Sequence, residues 1–351
     1  MSSLPATFVQ GFHDEASVRK MEYVPLGHTG LQVSNISLGT GTLSPFYGSI
    51  TEDGACKSVH AALRSGINYI DTAYYYGQGM SEKLLGVALK SVPRKAFYIG
   101  TKIGRYEQDI AQQFDFTADT TKKSVERSLK HLQLDYIDVI QIHDIEFSSS
   151  VEIVLKEALP ALEALREEGK VGFIGVTGYP LEVLKQAIQG APGRFDTVLA
   201  YTRYSLFDNS LTKYLDFFLE QKLGVVCASG HGMGLLSQNG PQSWHPAGEE
   251  IKTACRKAAE ICKSENIDLG RLAMGHFIQL QGPSTFLVGM QSEELVRTNL
   301  DVYFNGLTDK EKVLKERLQK EIFSKLQQTH WEGVEVSRYW AEMEKLAKKK
   351  D

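Results

Sequence analysis

The sequence YIDVIQIH, residues 136–143, precedes a helical pattern over residues 154–168, and VGFIGVTG, residues 171–178, follows that pattern. Both short runs are rich in β-branched and apolar residues, which is typical of strands that are buried on both faces. A helix between two such strands is the crossover that connects parallel neighbours in one sheet. This segment therefore predicts a parallel sheet covered by helices.

The same alternation of strand and helix recurs along the chain. The eight predicted strands are VSNISLG (33–39), NYIDTA (68–73), FYIGTK (97–102), YIDVIQIH (136–143), VGFIGVTG (171–178), TVLAYTRYS (197–205), GVVCASG (224–230) and TFLVGM (285–290). The predicted helices cover residues 54–66, 81–90, 119–133, 154–168, 181–189, 210–222, 248–280 and 292–304. Eight units in a chain of this length favour an α/β fold of the (β/α)8 TIM-barrel type over an open, doubly wound sheet. No GxGxxG motif follows the first strand, which removes the main argument for a Rossmann domain.

The two ends of the chain lie outside this rhythm. Residues 1–20 lack periodicity and are expected to form a flexible arm, whereas MEYVPLGHTGLQVS (21–34) predicts a β-hairpin. We therefore assign residues 21–305 to the barrel and residues 306–351 to a helical extension, in which Thr308 caps an added C-terminal helix. The tail beyond that helix is most simply a solvated helix terminus. Its aromatic segment THWEGVEVSRYW (329–340) allows the alternative that it folds back over the mouth of the active site.

Composition excludes several classes of protein. The 351 residues are 42% hydrophobic and 23% charged, as in soluble globular proteins, and the net charge of −4 argues against a nucleic-acid partner. No apolar run approaches the roughly 18 residues of a membrane helix. The four cysteines have no CxxC spacing, and no His/Cys/Asp cluster has metal-ligand spacing, so we expect reduced thiols, no metal and a cytoplasmic location.

Polar residues at the C-terminal ends of barrel strands are the candidate catalytic groups. Asp71, Lys102 and His143 end the second, third and fourth predicted strands, and Tyr76 lies in the loop after Asp71. Taken alone, Asp71 is equally well a capping residue and His143 equally well a core histidine. Lys102 is the most informative of the four, because a buried ammonium group must find an anion or lose its proton, and Asp71 is the natural partner.

These residues predict acid–base chemistry at an oxygen atom. Tyrosine ordinarily titrates near 10, and a neighbouring Lys102 ammonium favours the phenolate of Tyr76. A histidine beside it, His143, can bond and align a substrate oxygen. Such a site suits the interconversion of an alcohol and a carbonyl compound, in which a hydride moves at carbon. No side chain supplies a hydride, so a cofactor is required.

The motifs DTAYYYGQGMSEKLLG (71–86), IGTK (99–102) and DVIQIHD (138–144), in this order, resemble the aldo-keto reductase superfamily over roughly residues 21–305. The superfamily motif has Asp-Thr-Ala, two variable residues and Tyr-Gly. The resemblance therefore implies that Asp71, Tyr76, Lys102 and His143 are the catalytic residues. Tyr74 and Tyr75 fall on the variable positions and are expected in the cleft wall, with Tyr75 beside the substrate.

The resemblance also implies a nicotinamide site. The expected cofactor-binding residues are Gly39, Thr40, Asp71, Thr177, Tyr201, Ser229, Gly230, Gly232, Gly289, Gln291 and Asn299. His231 stands where relatives commonly have another residue in the pocket loop, and it is either a substrate contact, together with His143, or an exposed loop residue. NAD is expected to be preferred, because Gly289, Met290 and Leu295 stand where relatives that prefer NADP have the residues that bind its 2′-phosphate. NADP is possible, since Arg297 could replace the missing arginine.

Several segments, among them LDYIDVIQIHDIEF (134–147) and FLVGMQS (286–292), are more specifically similar to the L-galactose dehydrogenase branch. The resemblance implies oxidation of an aldose at C1 to a lactone. Alternatives are an NADPH-dependent aldehyde or carbonyl reductase, a nicotinamide-binding regulatory subunit with little turnover, and a metal-free isomerase. We expect a small sugar or aldehyde as substrate, no membrane partner, and a monomer or weak homo-oligomer.

Overall fold

The computed structural model describes residues 4–349, and its centre is a closed barrel of eight parallel strands. The strands are β3 (Ile36–Gly39), β4 (Tyr69–Asp71), β5 (Tyr98–Ile103), β6 (Ile137–Ile142), β7 (Val171–Gly178), β8 (Thr197–Tyr201), β9 (Gly224–Ala228) and β10 (Thr285–Gly289). They pair in chain order, and β10 closes the ring by pairing with both β9 and β3. The predicted (β/α)8 barrel is confirmed.

A short hairpin closes the N-terminal end of the barrel. Its strands, β1 (Tyr23–Pro25) and β2 (Gln32–Ser34), pair antiparallel as predicted. Leu26 and Val33 of this hairpin are fully buried in one apolar cluster with residues from inside the barrel, including Val139 and Val226. This apolar filling occupies the barrel interior, so polar chemistry is confined to the opposite, C-terminal end of the strands.

Helices surround the strands near the predicted positions. They are α1 (Glu15–Lys20), α2 (Glu52–Arg64), α3 (Met80–Leu89), α4 (Ala118–Leu132), α5 (Val151–Ile153), α6 (Leu159–Glu167), α7 (Leu181–Gly190), α8 (Thr212–Glu220), α9 (Glu249–Ser264), α10 (Leu269–Phe277), α11 (Glu293–Asn305), α12 (Asp309–Glu321) and α13 (Val334–Lys348). A π-helical turn, Val154–Ala158, joins α5 to α6. The helical segment predicted near residues 248–280 is interrupted between α9 and α10, where Asn266 has a φ of 56° and Asp268 caps α10.

The N-terminal residues are more structured than the sequence predicts. Residues 1–3 of the expected flexible arm lie outside the described part of the chain, but residues 4–20 pack against the barrel. Asp14 caps α1, Val18 is buried, and the Thr7 hydroxyl accepts a hydrogen bond of 3.0 Å from the Asn68 amide. The contact between Thr7 and Asn68 joins residues 61 positions apart, so local periodicity carries no sign of it.

The C-terminal extension contains two helices where one added helix was predicted. Thr308 caps α12 as predicted, and Glu311 completes a capping box with it. The second helix, α13, begins after the buried residue Trp331, and its first turn lies against the C-terminal end of the barrel. The favoured interpretation of this segment as a solvated terminus was therefore wrong, and the alternative of a tail folded over the mouth is correct.

Candidate active site

A cavity of about 560 Å³ opens at the C-terminal end of the barrel strands. Its wall combines strand ends, the loops that follow them and one residue of α13. The polar and aromatic side chains in this wall are those of Thr40, Thr42, Phe46, Tyr47, Asp71, Tyr75, Tyr76, Lys102, Arg105, Gln108, His143, Asp144, Thr177, Tyr201, Ser229, Trp244 and Glu335. All four predicted catalytic residues thus face one cavity.

An ion pair lies at the floor of this cavity. Asp71 is the last residue of β4 and Lys102 lies near the end of the neighbouring strand β5, with both side chains only 1% exposed. The Lys102 ammonium also donates to the Thr72 carbonyl at 2.8 Å. The other Asp71 oxygen accepts a hydrogen bond of 2.6 Å from the buried Gln141 amide on β6. Three adjacent strands therefore hold the pair, which satisfies a charge that burial would otherwise make very costly.

Tyr76 reaches the same ammonium group from the loop after β4. The distance from Lys102 Nζ to the Tyr76 hydroxyl oxygen is 3.3 Å. Behind Tyr76 the chain turns sharply at Gly77, whose φ is 68° and whose missing Cβ would lie 3.0 Å from Pro45 and Met80. Only glycine fits this turn without strain, which is the physical reason for the Tyr-Gly pair in the motif.

Opposing influences set the pKa of Tyr76. Burial raises its pKa above the ordinary value, and the Lys102 ammonium lowers it, with burial the larger of the two. Burial also acts to lower the pKa of Lys102, but Asp71 and Tyr76 together leave that pKa above its usual value. Lys102 is therefore a permanent cation that favours the Tyr76 phenolate, as the sequence predicts, although the resting tyrosine is protonated.

His143 follows β6 directly and is neutral. Burial lowers the pKa of His143 to about 3. The Asp144 carboxylate acts to raise this pKa, and the nearby Lys102 and Arg105 cations lower it further. Its ring lies edge-on to the rings of Tyr75 and Tyr76, with centroids 6.2 and 5.9 Å away. A neutral imidazole keeps one N–H donor, so it can bond a substrate oxygen beside the Tyr76 hydroxyl.

The predicted cofactor residues divide into two groups. Besides Asp71, those that line the cavity are Gly39, Thr40, Thr177, Tyr201, Ser229 and Gly289. Gly230 and Gly232 lie in the turn beside Ser229 but outside the cavity lining, as do Gln291 and Asn299 after β10. The Asn299 amide donates to the Leu295 carbonyl at 2.8 Å, one turn earlier in α11.

His231 was predicted either to contact the substrate or to be an exposed loop residue, and its position in the structure fits neither alternative. The side chain does not line the cavity, and its Nε2 lies 3.1 Å from the carbonyl oxygen of Gly270 on α10. It is partly buried, so it is not the exposed loop residue of the alternative either. His231 instead links the loop after β9 to α10.

Sequence reasoning missed three charged residues in the cavity wall. Arg105 donates to the Asp144 carboxylate at 2.7 Å and to the Tyr75 hydroxyl at 3.1 Å. Its guanidinium also lies over the Tyr75 ring, 3.9 Å from the centroid. Arg105 and Asp144 closely follow the ends of β5 and β6, a signal that was available, whereas Glu335 comes from α13 and had no local signal.

Comparison with known proteins identifies the family. The aldo/keto reductase family model matches residues 35–315, which span β3 to α12 and include the whole barrel. The chain belongs to the aldo/keto reductase family. It is therefore an oxidoreductase of a family that uses nicotinamide cofactors, NAD or NADP.

The most similar relatives include dehydrogenases of sugars. The chain is 42% identical over 284 residues to the L-galactose dehydrogenase of Arabidopsis thaliana, covering 80% of this chain and 88% of that protein. It is 32% identical over 319 residues to the D-arabinose 1-dehydrogenase of Saccharomyces cerevisiae, covering 85% and 93%. A D-threo-aldose 1-dehydrogenase of a Pseudomonas species is 29% identical, covering 74% and 86%.

A solved structure supports the same assignment. An aldo-keto reductase from Bacillus halodurans, in its holo form, superimposes with a TM-score of 0.66 and is 26% identical, covering 85% of this chain and 96% of that one. Its likeness extends over nearly the whole of that protein.

The loop after β9 fits the phosphates of a dinucleotide. His231 has φ −83° and ψ 4°, and the next residue, Gly232, has a φ of 59°. Successive right-handed and left-handed residues can turn backbone N–H groups toward one side and form an anion-binding concavity. The N–H of Gly232 itself donates to the Ser229 carbonyl at 2.8 Å, which leaves the N–H groups of its two neighbours for an anion. Ser229 and Met233 of this loop line the cavity, so the concavity adjoins the predicted catalytic residues.

Among residues 4–349, no cluster of acidic, cysteine and histidine side chains is arranged to hold a metal ion.

Proposed function

We propose that this protein oxidises an aldose at its anomeric carbon to a lactone, with NAD as the hydride acceptor. The observation that carries the proposal is the Lys102 ammonium group, which pairs with Asp71 and hydrogen-bonds Tyr76 at the cavity floor. This arrangement supplies a tyrosine whose ionised form is stabilised by a fixed cation. The similarity to three named aldose dehydrogenases supports the choice of substrate class.

A nicotinamide dinucleotide, when bound, accepts the hydride that leaves C1 of the sugar. Thr177 and Tyr201 at the ends of β7 and β8, and the loop from Ser229 onward, are the residues that would hold it. The Thr177 hydroxyl accepts a hydrogen bond of 3.2 Å from the Asp144 backbone, which fixes its orientation at the cavity wall.

Tyr76 takes the proton of the C1 hydroxyl as the carbonyl bond forms. Its phenolate, favoured by Lys102, is the general base, and the same group is the general acid in the reverse reaction. His143 remains neutral at working pH and donates its N–H to the substrate oxygen, which aligns that oxygen with Tyr76. Asp71 and Gln141 hold Lys102 in place and do not touch the substrate.

The named sugars of the relatives define a common pattern of hydroxyl groups. In their six-membered ring forms, L-galactose and D-arabinose have the same configuration at C2, C3 and C4 and differ by the hydroxymethyl group at C5. We therefore infer that the substrate site of this protein contacts the hydroxyl groups at C2, C3 and C4. The cavity offers polar groups on Tyr75, Arg105 and Glu335 for this purpose.

NAD is proposed as the preferred cofactor because the loop after β10 lacks a free cation for a 2′-phosphate. The candidate substitute, Arg297, forms an ion pair with Glu293 one turn earlier in α11. A cation that is already paired, on a helix that begins with Glu293 and Glu294, is poorly placed to bind a phosphate group. The four free cysteines support a reducing, cytoplasmic location.

Turnover of the purified protein tests this function. Oxidation of L-galactose and of D-arabinose would be assayed with NAD⁺ and NADP⁺, and reduction of a reactive aldehyde with NADH and NADPH. We expect sugar oxidation with NAD to have the largest kcat/KM. Reduction of the aldehyde with NADPH as the only efficient reaction would contradict the proposal, and so would the absence of turnover with every pair.

A further inference from the structure

The position of Glu335 in the cavity wall depends on a firm anchor just before α13. Trp331 is 1% exposed and its ring stacks on Tyr179 with centroids 5.0 Å apart. Its backbone N–H donates to the Tyr179 hydroxyl at 3.0 Å, and the next residue, Glu332, pairs with the buried Arg203 at 3.0 Å. These contacts hold the chain in place just before α13, so the packing itself positions Glu335 in the cavity wall.

Burial raises the pKa of the Glu335 carboxyl, and Arg105, the Trp331 side chain and Arg338 act against this effect. Within residues 4–349 Glu335 forms no ion pair, although it lines the cavity and is partly buried. The nearest cation in the wall, Arg105, is already held by Asp144 at 2.7 Å. Because Glu335 faces the cavity without an ion pair, and a carboxylate accepts several hydrogen bonds, it can accept a further one from a ligand.

The surroundings of Glu335 indicate which kind of ligand it can bind. Tyr47 and Tyr201 line the same cavity as Glu335, and burial together with the negative charge of Glu335 raises the pKa of both tyrosines. The Nε of Arg105 is buried without a hydrogen-bond partner among the described residues, which leaves a spare donor on the same wall. Arg105 disfavours a cationic ligand, and Glu335 disfavours an anionic one. A neutral ligand with several hydroxyl groups satisfies both.

We propose that Glu335 accepts a hydrogen bond from a ring hydroxyl of the substrate and thereby makes the C-terminal extension part of a sugar-recognition subsite. The proposal rests on the proposed function, because it assigns the ring hydroxyls of the aldose to this wall. It concerns selectivity for hydroxyl groups and leaves the proton and hydride transfers to the floor of the cavity.

A matched pair of lactols separates hydroxyl recognition from catalysis. D-arabinopyranose and 2-hydroxytetrahydropyran have the same ring and the same anomeric hydroxyl, and both yield a lactone by the same reaction. They differ in the three remaining ring hydroxyls. The experiment measures kcat/KM for each compound with NAD, for the wild type, Glu335→Gln and Glu335→Leu. The control is Glu342→Gln, which makes the same chemical change at an exposed position of the same helix.

For D-arabinose, we expect Glu335→Gln to lose about tenfold in kcat/KM, since a charge-assisted hydrogen bond becomes a neutral one. Glu335→Leu should lose more, and neither variant should change kcat/KM for 2-hydroxytetrahydropyran by more than about twofold. Equal losses for both lactols would indicate a structural role and overturn the proposal, as would unchanged arabinose kinetics in both variants. Glu342→Gln should match the wild type.

The failure of the proposed function has a different signature. If the wild type oxidises neither lactol, the dehydrogenase assignment fails, and calorimetric binding of D-arabinose to the protein with NAD present then decides the subsite. Weaker binding to Glu335→Leu than to the wild type and Glu342→Gln would support sugar recognition by Glu335. Equal binding by all three proteins, or no binding by any of them, would overturn it.

Discussion

The ammonium nitrogen of Lys102 lies 3.3 Å from the hydroxyl oxygen of Tyr76, while the same nitrogen forms an ion pair with Asp71. The lysine belongs to β5, and the tyrosine belongs to the loop that follows β4. Because Lys102 is almost fully buried, its charge is screened little by water and acts strongly on its neighbour. This contact is the point at which the barrel scaffold controls the acidity of the reacting group.

Replacing Tyr76 with phenylalanine removes the proton-transfer oxygen and little else. We expect Tyr76→Phe to lower kcat by about 10²- to 10⁴-fold, the usual contribution of a positioned acid–base group. Binding of NADH, followed by fluorescence titration, should be unchanged. The matched control is Tyr74→Phe, because the Tyr74 hydroxyl bonds Glu107 at 3.1 Å and lies outside the cavity wall. A greater loss of activity in Tyr74→Phe would refute the assignment of Tyr76.

Replacing Lys102 with methionine should change the pH profile of sugar oxidation as well as its rate. Lys102 lowers the pKa of Tyr76 against the larger effect of burial, so its removal raises that pKa. Oxidation requires the phenolate, so its rate rises with pH up to the pKa of Tyr76. In Lys102→Met this rising limb should therefore lie at higher pH. An unchanged profile in a variant with native circular dichroism would sink the role of Lys102.

The buried amide of Gln141 should stabilise the ion pair that it contacts. Gln141→Leu removes the 2.6 Å hydrogen bond to Asp71 and leaves a buried carboxylate oxygen without that donor. We expect the free energy of unfolding to fall by about 1–3 kcal/mol, as is typical when a buried polar group loses its partner. Denaturant titration measures this loss. A Gln141→Leu protein as stable as the wild type would show that another group takes over the contact.

Steady-state kinetics with both dinucleotides test the cofactor preference. We expect kcat/KM with NAD to exceed that with NADP by at least about tenfold, a difference of roughly 1.4 kcal/mol. Arg297→Ala should leave this ratio nearly unchanged, because the guanidinium is exposed and paired with Glu293. A preference for NADP that disappears in Arg297→Ala would instead show that Arg297 reads the 2′-phosphate.

The anchor of the C-terminal tail can be tested at Trp331. Trp331→Ala removes a fully buried ring from its stack on Tyr179, and we expect a loss of about 3–5 kcal/mol in the free energy of unfolding. The KM for the sugar should rise, because Glu335 is no longer held in the wall. Trp340→Ala, on the same extension but outside the cavity, is the control. Equal sugar kinetics in the two variants would argue against the anchor.

The barrel was predictable because its signals are local. Each of the eight strands, such as YIDVIQIH at residues 136–143, is a short run of mainly apolar residues, because both of its faces are buried. The helices between the strands show the periodicity that burial of one face imposes. The convergence of the proposed catalytic residues was predictable for a related reason. Asp71, Lys102 and His143 lie at strand ends, and the closed barrel brings the ends of all its parallel strands to one rim.

The sequence by itself therefore determined the barrel and the positions of the residues that we propose for catalysis, whereas the tertiary structure decided what surrounds them. Contacts between residues far apart in the sequence decided three features. These are the packing of residues 4–20, the contact of His231 with Gly270 and the position of Glu335 in the cavity wall. Trp331 packs on Tyr179 across a separation of 152 residues. Contacts of that span are selected by the fit of whole surfaces, because side-chain packing depends on shape in three dimensions and leaves no periodic trace along the chain.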